Sequence, residues 1–264
     1  MYIYYIYIML LYLIYFLVAL LLLISYKLYF TKNESFKNYK QEKIPKLIIQ
    51  TWKDNNIPKK YDYDITSVQK INKDFKVLFF TDSDIEYFLK KYYPEYYLTY
   101  LKLPIIIQKI DFFRYVAIYH YGGFYYDLDI TALHPLNELI YYDTVFPIEQ
   151  MRGNCRKLRW KTLCNNNTDI VLGNYAFGAS PKNEFMKLLA ENIHKNIDKI
   201  IETQNKSNNY VYATTGPDYV SIIYHNYKEK KNIKLLENKK GEHVFGKYAK
   251  HNFYGTWKPR FNKS

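Results

Sequence analysis

Two aspartates separated by one leucine end an aromatic run in the middle of the chain, in the stretch GGFYYDLDI from Gly122 to Ile130. If the run is a β-strand through Ile130, Asp127 and Asp129 point to the same face as Tyr125, because successive side chains alternate. Two carboxylates held side by side repel one another unless a positive charge lies between them. Hard divalent cations prefer carboxylate oxygens. The spacing therefore predicts a metal site at the end of this strand.

The segment before the glycines carries a second pair of charges. LPIIIQKIDFFRYVAIYHYGG is predicted to be a helix, with Pro104 in its first turn and Gly122 at its end. It is apolar nearly all round, yet Asp111 and Arg114 lie three residues apart on one face. Charges on a mostly buried helix are rarely unpaired, so one interpretation is a structural ion pair. The aspartates one strand later favour the other, a pair lining a ligand pocket at the carboxyl edge of a sheet.

The elements around these residues alternate between strand and helix. KLIIQTW and FKVLFF are short apolar strands, DIEYFLKKYY is a helix that starts after Thr81, and NEFMKLLAENIHKNIDKII is an amphipathic helix. This alternation predicts an α/β fold with a mostly parallel, doubly wound sheet. The 264 residues are enough for one sizeable core.

The first part of the chain is predicted to be a membrane anchor. Residues 2–26 carry no charged side chain, and as a helix they would be about 37 Å long, enough to cross a bilayer. No basic residue precedes them and no small-residue cleavage pattern follows, which favours an uncleaved single-pass anchor. Residues 27–43 are polar and lysine-rich and are predicted to be a stem or linker. Residues 44–264 then form the remaining domain.

The charge balance argues against a nucleic-acid partner. The net charge is +13, but the lysines are scattered and no motif of a common DNA- or RNA-binding module is present. Anionic substrates or a membrane surface are better partners for this charge. Lysines follow the apolar segment and none precedes it, which by the positive-inside rule indicates a cytoplasmic domain. Asn33, Asn166, Asn205 and Asn262 begin N-x-S/T sequons that do not settle the orientation, and pairing of Cys155 with Cys164 is left open.

The central motifs resemble those of the glycosyltransferase family 32 sugar transferases. QKIDFFRYVAIYHYGGFYYDLDI is similar to their DxD segment; the matching positions are Lys109, Asp111, Arg114, Tyr115, Gly122, Gly123, Tyr125, Asp127 and Asp129. IPKLIIQTW, ATTGPDY and HNFYGTW resemble further family segments in the same order, from Ile44 to Trp257. Ile49 stands where the family usually has a histidine, and Thr256 stands in place of a serine. The family includes yeast-type α-1,6-mannosyltransferases and inositol-phosphoceramide mannosyltransferases, and clostridial glucosylating toxins share a more distant version.

The resemblance implies a fold, a reaction and partners. It implies a GT-A fold, a nucleotide-sugar donor, a divalent metal (Mn²⁺ first, Mg²⁺ as the alternative) and retention of anomeric configuration. GDP-mannose is the favoured donor, with UDP-galactose, UDP-glucose and UDP-N-acetylglucosamine open. The acceptor would be a glycan or a lipid headgroup, and the domain would be luminal.

The resemblance also assigns roles to individual residues. Asp127 and Asp129 would be catalytic and would hold the metal, and His251 would complete the shell of the metal or of the diphosphate. The donor-binding residues would be Trp52 on the base, Asp111 and Arg114 on sugar or phosphate, Tyr125, and Trp257 in a mobile tail that closes over the site.

Two other functions fit parts of the pattern. FYYDLDIT also fits a haloacid-dehalogenase-type phosphatase, with Asp127 as nucleophile, Asp129 as general acid and Thr131 completing the motif. Such an enzyme needs a later acidic pair for Mg²⁺, and no D-D or G-D-x-x-x-D follows residue 131. A non-catalytic, membrane-anchored interaction protein with a decayed transferase fold is the other alternative, and Ile49 is the residue that keeps it open.

Overall fold

The computed structural model describes residues 2–35, 41–151, 170–204, 208–238 and 243–255. Trp257, Thr256, Cys155 and Cys164, with the sequons at Asn166, Asn205 and Asn262, lie outside the described residues. The chain divides into two compact units, Met1–Gln41 and Glu42–Ser264.

The first unit contains one long helix, α1 (Tyr2–Ser35). Its segment Tyr4–Leu28 is long and apolar enough to cross a membrane, and none of that segment is buried inside the protein. The predicted apolar helix is therefore present. It continues through Ser35, into the segment predicted to be a stem.

The second unit is built from strands and helices that alternate along much of the chain. The strands are β1 (Leu47–Thr51), β2 (Lys76–Phe80), β3 (Gly123–Tyr126), β4 (Ile130–Ala132), β5 (Thr144–Met151), β6 (Ile170–Leu172), β7 (Ala176–Ala179), β8 (Ile233–Leu236), β9 (Val244–Phe245) and β10 (Ala249–His251). The helices are α2 (Asp62–Ile71), α3 (Asp82–Tyr92), α4 (Pro94–Lys102), α5 (Ile106–Tyr121), α6 (Glu184–Lys195), α7 (Ile197–Glu202), α8 (Asn208–Thr214) and α9 (Pro217–Asn226). Short 3₁₀ turns occur at Lys59–Tyr61, Leu136–Glu138 and Lys230–Asn232.

The central sheet has the order β2-β1-β3-β7-β5-β6, and β8 also pairs with β5. Strand β1 runs parallel to both β2 and β3, and β8 runs parallel to β5. Strand β7 lies antiparallel to β3 and β5 because it begins at the edge where β3 ends, with Tyr126 opposite Ala176. The α/β prediction is confirmed, and the parallel strands β2-β1-β3 are the ones that lead to the two aspartates.

Apolar side chains cover both faces of the sheet. One cluster includes Phe113 of α5 with Phe177 of β7, and the other includes Val68 of α2 with Phe124 of β3. Strand β1 contributes to both, since Ile48 and Ile49 alternate across the sheet. Ile49, the residue in place of the family histidine, is fully buried in the first cluster, opposite Tyr125 in the strand register.

The connection from α5 to β3 depends on its two glycines. The backbone φ is +66° at Gly122 and +93° at Gly123, a region that L-residues with a Cβ rarely adopt. A Cβ on Gly123 would lie 2.6 Å from the Leu47 carbonyl oxygen of the neighbouring strand. The predicted helix end at Gly122 is confirmed, whereas the helix begins at Ile106, after Pro104 rather than at it.

Two sequence-based boundaries are wrong. The strand predicted to continue through Ile130 ends at Tyr126, and the Ile130 N–H donates to the Asp127 carbonyl over 3.2 Å. The two aspartates therefore lie on a turn, from which the chain enters β4 in a separate antiparallel sheet, β4-β10-β9. The long amphipathic helix predicted after residue 182 is divided at Asn196 into α6 and α7.

Candidate active site

Asp127, Asp129 and His251 form a compact group of metal-ligating side chains. One potential ligand atom of each lies within 4.8 Å of the other two. The two aspartates occupy the turn between β3 and β4, while His251 ends β10, which pairs with β4 so that His251 is opposite Ile130. The long-range pairing of these two short strands is therefore what brings the histidine to the turn.

The Asp129 carboxylate is held by the C-terminal segment. His251 Nε2 lies 3.2 Å from Asp129 Oδ1, and the Tyr254 N–H donates to Asp129 Oδ2 over 2.9 Å. The Asn252 N–H donates to the Asp129 carbonyl, also over 2.9 Å. The ring of Tyr175 stacks on the His251 imidazole, with 4.4 Å between centroids, and fixes its plane.

This group fits a divalent cation. Two carboxylates and an imidazole are ligands that Mn²⁺ accepts, and the oxygens also suit Mg²⁺. The buried His251 Nδ1 has no hydrogen-bond partner within the described part of the chain. The Asp127 side chain is 29% exposed, which leaves one of the carboxylates open to a ligand. The assignment of these three residues as metal ligands stays a prediction that the donor set supports.

Arg114 lies beneath the turn and links it to α5. Its Nη2 is 3.3 Å from Asp127 Oδ1 and 3.4 Å from Asp111 Oδ1, while its Nη1 donates to the Asn174 carbonyl over 2.6 Å. The guanidinium also lies 4.4 Å from the centre of the Tyr125 ring, within cation–π distance. The Arg114 side chain is only 3% exposed, so its guanidinium is enclosed by these groups. Its contact with the turn is the ion pair with Asp127.

Asp111, which is on the same helix as Arg114, is enclosed in a hydrogen-bond network. Its carboxylate accepts from the Thr215 hydroxyl over 2.8 Å and from the Asn174 side-chain amide over 3.0 Å. The Tyr115 hydroxyl donates to the Thr215 carbonyl over 2.6 Å and so holds that segment in place. The structure therefore places Asp111 and Arg114 in a buried network below the aspartates, and direct contact of either residue with a donor stays a prediction.

The two aspartates of the motif have different electrostatic environments. Burial raises the pKa of Asp127, and the neighbouring Arg114 opposes the rise. Burial also acts to raise the pKa of Asp129, but the contact with His251 and the backbone hydrogen bonds, that of Tyr254 among them, together outweigh it, so that this pKa lies below the ordinary value. Burial raises the pKa of Asp111 to about 7. Burial opposes the charge of Arg114, yet the adjoining Asp127 carboxylate raises its pKa overall, so Arg114 is a cation.

Tyr125 and Trp52 are positioned by different neighbours. Tyr125 is buried, its hydroxyl lies 2.9 Å from the Thr51 hydroxyl, and its ring stacks on Phe177. Trp52 follows β1, and its ring makes an edge contact with Tyr61, 5.0 Å between centroids. Its buried indole N–H has no hydrogen-bond partner in the described ranges. The predicted donor contacts of Tyr125 and Trp52 remain predictions, since the structure shows how each side chain is held and not what it binds.

Several residues of this site have no role in the sequence-based prediction. They are Thr51, Asn174, Tyr175, Thr215 and Tyr254. Thr215 and Tyr254 lie inside ATTGPDY and HNFYGTW, so the resemblance indicated their segments without indicating the residues. No sequence pattern near Asn174 and Tyr175 indicates a role for them. They follow β6 and reach the site because β7 pairs with β3.

Comparison with known proteins shows which family the segment carrying the two aspartates resembles. Residues 58–146 match the family described as a glycosyltransferase sugar-binding region containing a DXD motif. The matched segment contains all of α5 and both aspartates. The match over residues 58–146 confirms the resemblance to DxD glycosyltransferases expected from the sequence.

Two of the similar proteins are yeast enzymes of glycolipid synthesis by name. Inositol phosphoceramide mannosyltransferase 1 of Schizosaccharomyces pombe is 30% identical over 189 residues, covering 70% of this chain and 53% of the relative. Mannosyl phosphorylinositol ceramide synthase CSH1 of Saccharomyces cerevisiae is 24% identical over 201 residues, covering 76% of this chain and 47% of the relative. The chain thus spans about half the length of these relatives. Among solved structures, a chain described as PaToxG Glycosyltransferase shares 14% identity at a TM-score of 0.49, over 72% of this chain and 73% of its own.

Proposed function

We propose that this chain is a metal-dependent, retaining glycosyltransferase that transfers a hexose from a nucleotide sugar. The observation that carries the proposal is the cluster of Asp127, Asp129 and His251, whose two aspartates lie in the family-matched segment. In this proposal, residues 44–264 form a GT-A-type catalytic domain. The match of residues 58–146 to the DXD glycosyltransferase family supports the reaction class, and the donor set supports the metal.

The described residues suggest how the site would work. Asp127, Asp129 and His251 would hold a divalent cation, which when bound stabilises the negative charge on the departing diphosphate as a Lewis acid. Arg114 holds the Asp127 carboxylate from below, and the Tyr254 N–H with His251 holds that of Asp129. Ligands fixed before the donor arrives need little reorganisation during the reaction, which is the main source of electrostatic catalysis.

Mannose is the favoured sugar and GDP-mannose the favoured donor. The support is that the similar yeast proteins are named mannosyltransferases or mannosyl phosphorylinositol ceramide synthases. UDP-galactose, UDP-glucose and UDP-N-acetylglucosamine are the alternative donors. The same names favour a glycolipid acceptor, and a glycan is the alternative.

The test is a donor panel with the full-length chain in detergent. With GDP-mannose and Mn²⁺ we expect slow release of mannose and GDP in the absence of acceptor, faster turnover with a glycolipid acceptor, and loss of both with EDTA. Hydrolysis of a phosphomonoester instead would establish the phosphatase alternative. No reaction with any donor, despite bound Mn²⁺, would favour the decayed transferase fold.

The structure gives the phosphatase alternative no support. That alternative requires Thr131 as the third member of its motif. The Thr131 hydroxyl instead donates to Asp64 of α2 over 2.5 Å. The alternative also requires Asp127 as a nucleophile, whereas this carboxylate lies beside the Arg114 guanidinium, 3.3 Å away. A cation at that distance stabilises the carboxylate and weakens it as a nucleophile.

The membrane anchor and luminal placement are part of the same proposal. Segment Tyr4–Leu28 of α1 supplies a helix of sufficient length and apolarity. The luminal side follows from the resemblance and is opposed by the lysines after the span, which favour the cytoplasm. Expression of the full-length chain in yeast, with and without glycosidase treatment, tests the side. A glycosidase-sensitive mass would place the sequons in the lumen, and protease sensitivity of the domain in intact microsomes would place it in the cytoplasm.

A further inference from the structure

A hydrogen-bonded triad built on one buried carboxylate joins three chain segments next to the two aspartates. Asp64 Oδ1 accepts from the Thr131 hydroxyl over 2.5 Å and from the Asn252 side-chain amide over 2.9 Å. The same Asn252 amide lies 2.8 Å from the Thr131 hydroxyl oxygen. Asp64 belongs to the first turn of α2 and is 1% exposed. We call these three residues the Asp64 triad.

The triad connects the two segments that carry the candidate metal ligands. Thr131 lies in β4, two residues after Asp129, and Asn252 directly follows His251. The backbone joins the same segments, because the Asn252 N–H donates to the Asp129 carbonyl over 2.9 Å. Any shift of Asn252 relative to Thr131 would therefore change the separation of His251 from Asp129, which is now 3.2 Å.

The small sheet is too short to fix this alignment by itself. Strands β4 and β10 each have three residues, and β9 has two. Ladders of this length are marginal without side-chain contacts, since few backbone bonds compensate for the ordering of the chain. The Asp64 carboxylate, which α2 presents, accepts from β4 and from the residue after β10, and so supplies a rigid reference point for both.

We propose that Asp64 is a positioning residue that holds His251 against Asp129 and thereby sets the affinity of the site for a divalent cation. The inference rests on the proposed metal site. It also gives Thr131, the residue that made the stretch look like a phosphatase motif, a place in the scaffold of the transferase site. Asp64 acts through Thr131 and Asn252 and does not itself touch the cation.

The test measures Mn²⁺ binding directly, by electron paramagnetic resonance of free Mn²⁺ during titration of the full-length chain in detergent. Asp64→Ala removes the two hydrogen bonds that the triad makes to the Asp64 carboxylate, and Thr131→Val removes the two that involve the Thr131 hydroxyl. We expect the dissociation constant to rise about tenfold or more in both, the range found when the outer partners of metal ligands are lost. Thr131→Ser keeps the hydroxyl and is expected to bind Mn²⁺ as the unaltered chain does.

Two control variants separate positioning from general loosening. Ser67→Ala removes another link between α2 and β4, because the Ser67 hydroxyl accepts from the Ala132 N–H and donates to the Asp64 carbonyl, without reaching Asn252. Asp62→Asn removes an exposed charge from the same helical turn. Both are expected to keep the affinity for Mn²⁺, and Ser67→Ala is expected to lower only the thermal midpoint.

The outcomes are distinct. Unchanged affinity in folded Asp64→Ala and Thr131→Val, or an equal loss in Ser67→Ala, overturns the inference and leaves the transferase proposal intact. If the unaltered chain binds no Mn²⁺, the metal site and the inference both fail. Should Asp64→Ala not fold, the comparison of Thr131→Val with Thr131→Ser decides, since rescue by serine requires the hydroxyl rather than the packing of the side chain.

Discussion

The two aspartates of the DxD motif are chemically alike and differently supported. Asp127 is partly exposed and lies beside Arg114, whereas Asp129 is held by His251 and by the Tyr254 N–H. The pKa of Asp127 is raised by burial, whereas that of Asp129 is lowered because the contact with His251 and the backbone hydrogen bonds together outweigh burial. The Asp127 carboxylate is thus oriented by α5 and the Asp129 carboxylate by the C-terminal segment. Loss of either support is therefore expected to displace a different carboxylate.

Asp127→Asn and Asp129→Asn are each expected to abolish most of the transfer while the domain stays folded. Asparagine keeps the shape of the side chain and loses the charge that would bind the cation, and the loss of turnover should be about 100-fold or more. Initial rates with saturating donor and Mn²⁺ titrations measure the effect. Asp74→Asn, an exposed aspartate before β2, is the matched control. Normal turnover in either active-site variant, with Mn²⁺ bound, would contradict the metal site.

The Asp111–Arg114 pair gives a second prediction. Arg114→Met alone leaves the buried Asp111 and its neighbour Asp127 without their cation, and should lower the free energy of unfolding by about 3–5 kcal/mol. Asp111→Asn with Arg114→Met should recover part of that stability because one uncompensated buried charge is gone. Turnover should still be lost, since nothing then holds Asp127 from below. Denaturant unfolding and transfer kinetics distinguish the effects, and a folded double variant with near-normal kinetics would show that the pair is only scaffold.

At the scale of elements, the site depends on how α5 leads into β3. The helix ends at Tyr121, and two glycines with positive φ turn the chain directly into the strand. The turn thereby fixes the position of Arg114 on the helix relative to that of Asp127 after the strand. The close approach of Gly123 to β1 also keeps Thr51 beside Tyr125, with the two hydroxyl oxygens 2.9 Å apart.

Gly123→Ala is expected to destabilise the domain more than Gly246→Ala. At Gly246 the φ is +54° and the nearest contact of a new Cβ would be 3.2 Å, so the cost is chiefly the left-handed backbone, about 1–2 kcal/mol. At Gly123 the Cβ would lie 2.6 Å from the Leu47 carbonyl oxygen, so β1 must move as well. Urea unfolding of both variants tests this difference, and equal losses would show that the β1–β3 approach is not constrained.

At the scale of the whole molecule, the chain consists of two compact units that meet at Gln41 and Glu42. The second unit has its own core and contains every residue of the candidate site. Near its start, the N–H groups of Lys43 and Ile44 donate to the Ile140 carbonyl over 2.8 and 2.9 Å. A boundary before Lys43 therefore keeps these bonds.

Deletion of residues 1–41 is expected to give a soluble domain that still hydrolyses the donor sugar. The apolar helix is removed, and the cores on both faces of the sheet are retained. Size-exclusion chromatography without detergent and the rate of GDP release measure the result. A truncated chain that aggregates or remains unfolded would show that the helix contributes to the core of the domain.

The sequence by itself determined the local features of this protein. The apolar helix, the ion pair on α5, the glycines after it and the two aspartates are consecutive or lie within one helical turn. The presence of these features follows from residue type and periodicity alone, and the resemblance to a family added which reaction such a set performs. The strand through Ile130 was the local error, because alternation predicts a face and does not reveal where a strand leaves its sheet.

Only the tertiary structure decided which distant residues complete the site. Asn174 lies 63 residues from Asp111, and Asn252 lies 188 residues from Asp64, yet both pairs are hydrogen-bonded. The antiparallel β7 brings Asn174 to the turn, and the pairing of β10 with β4 brings His251 to Asp129. No local pattern encodes such contacts, because they depend on strand order and register, and these are selected by the burial of both faces of the sheet at once.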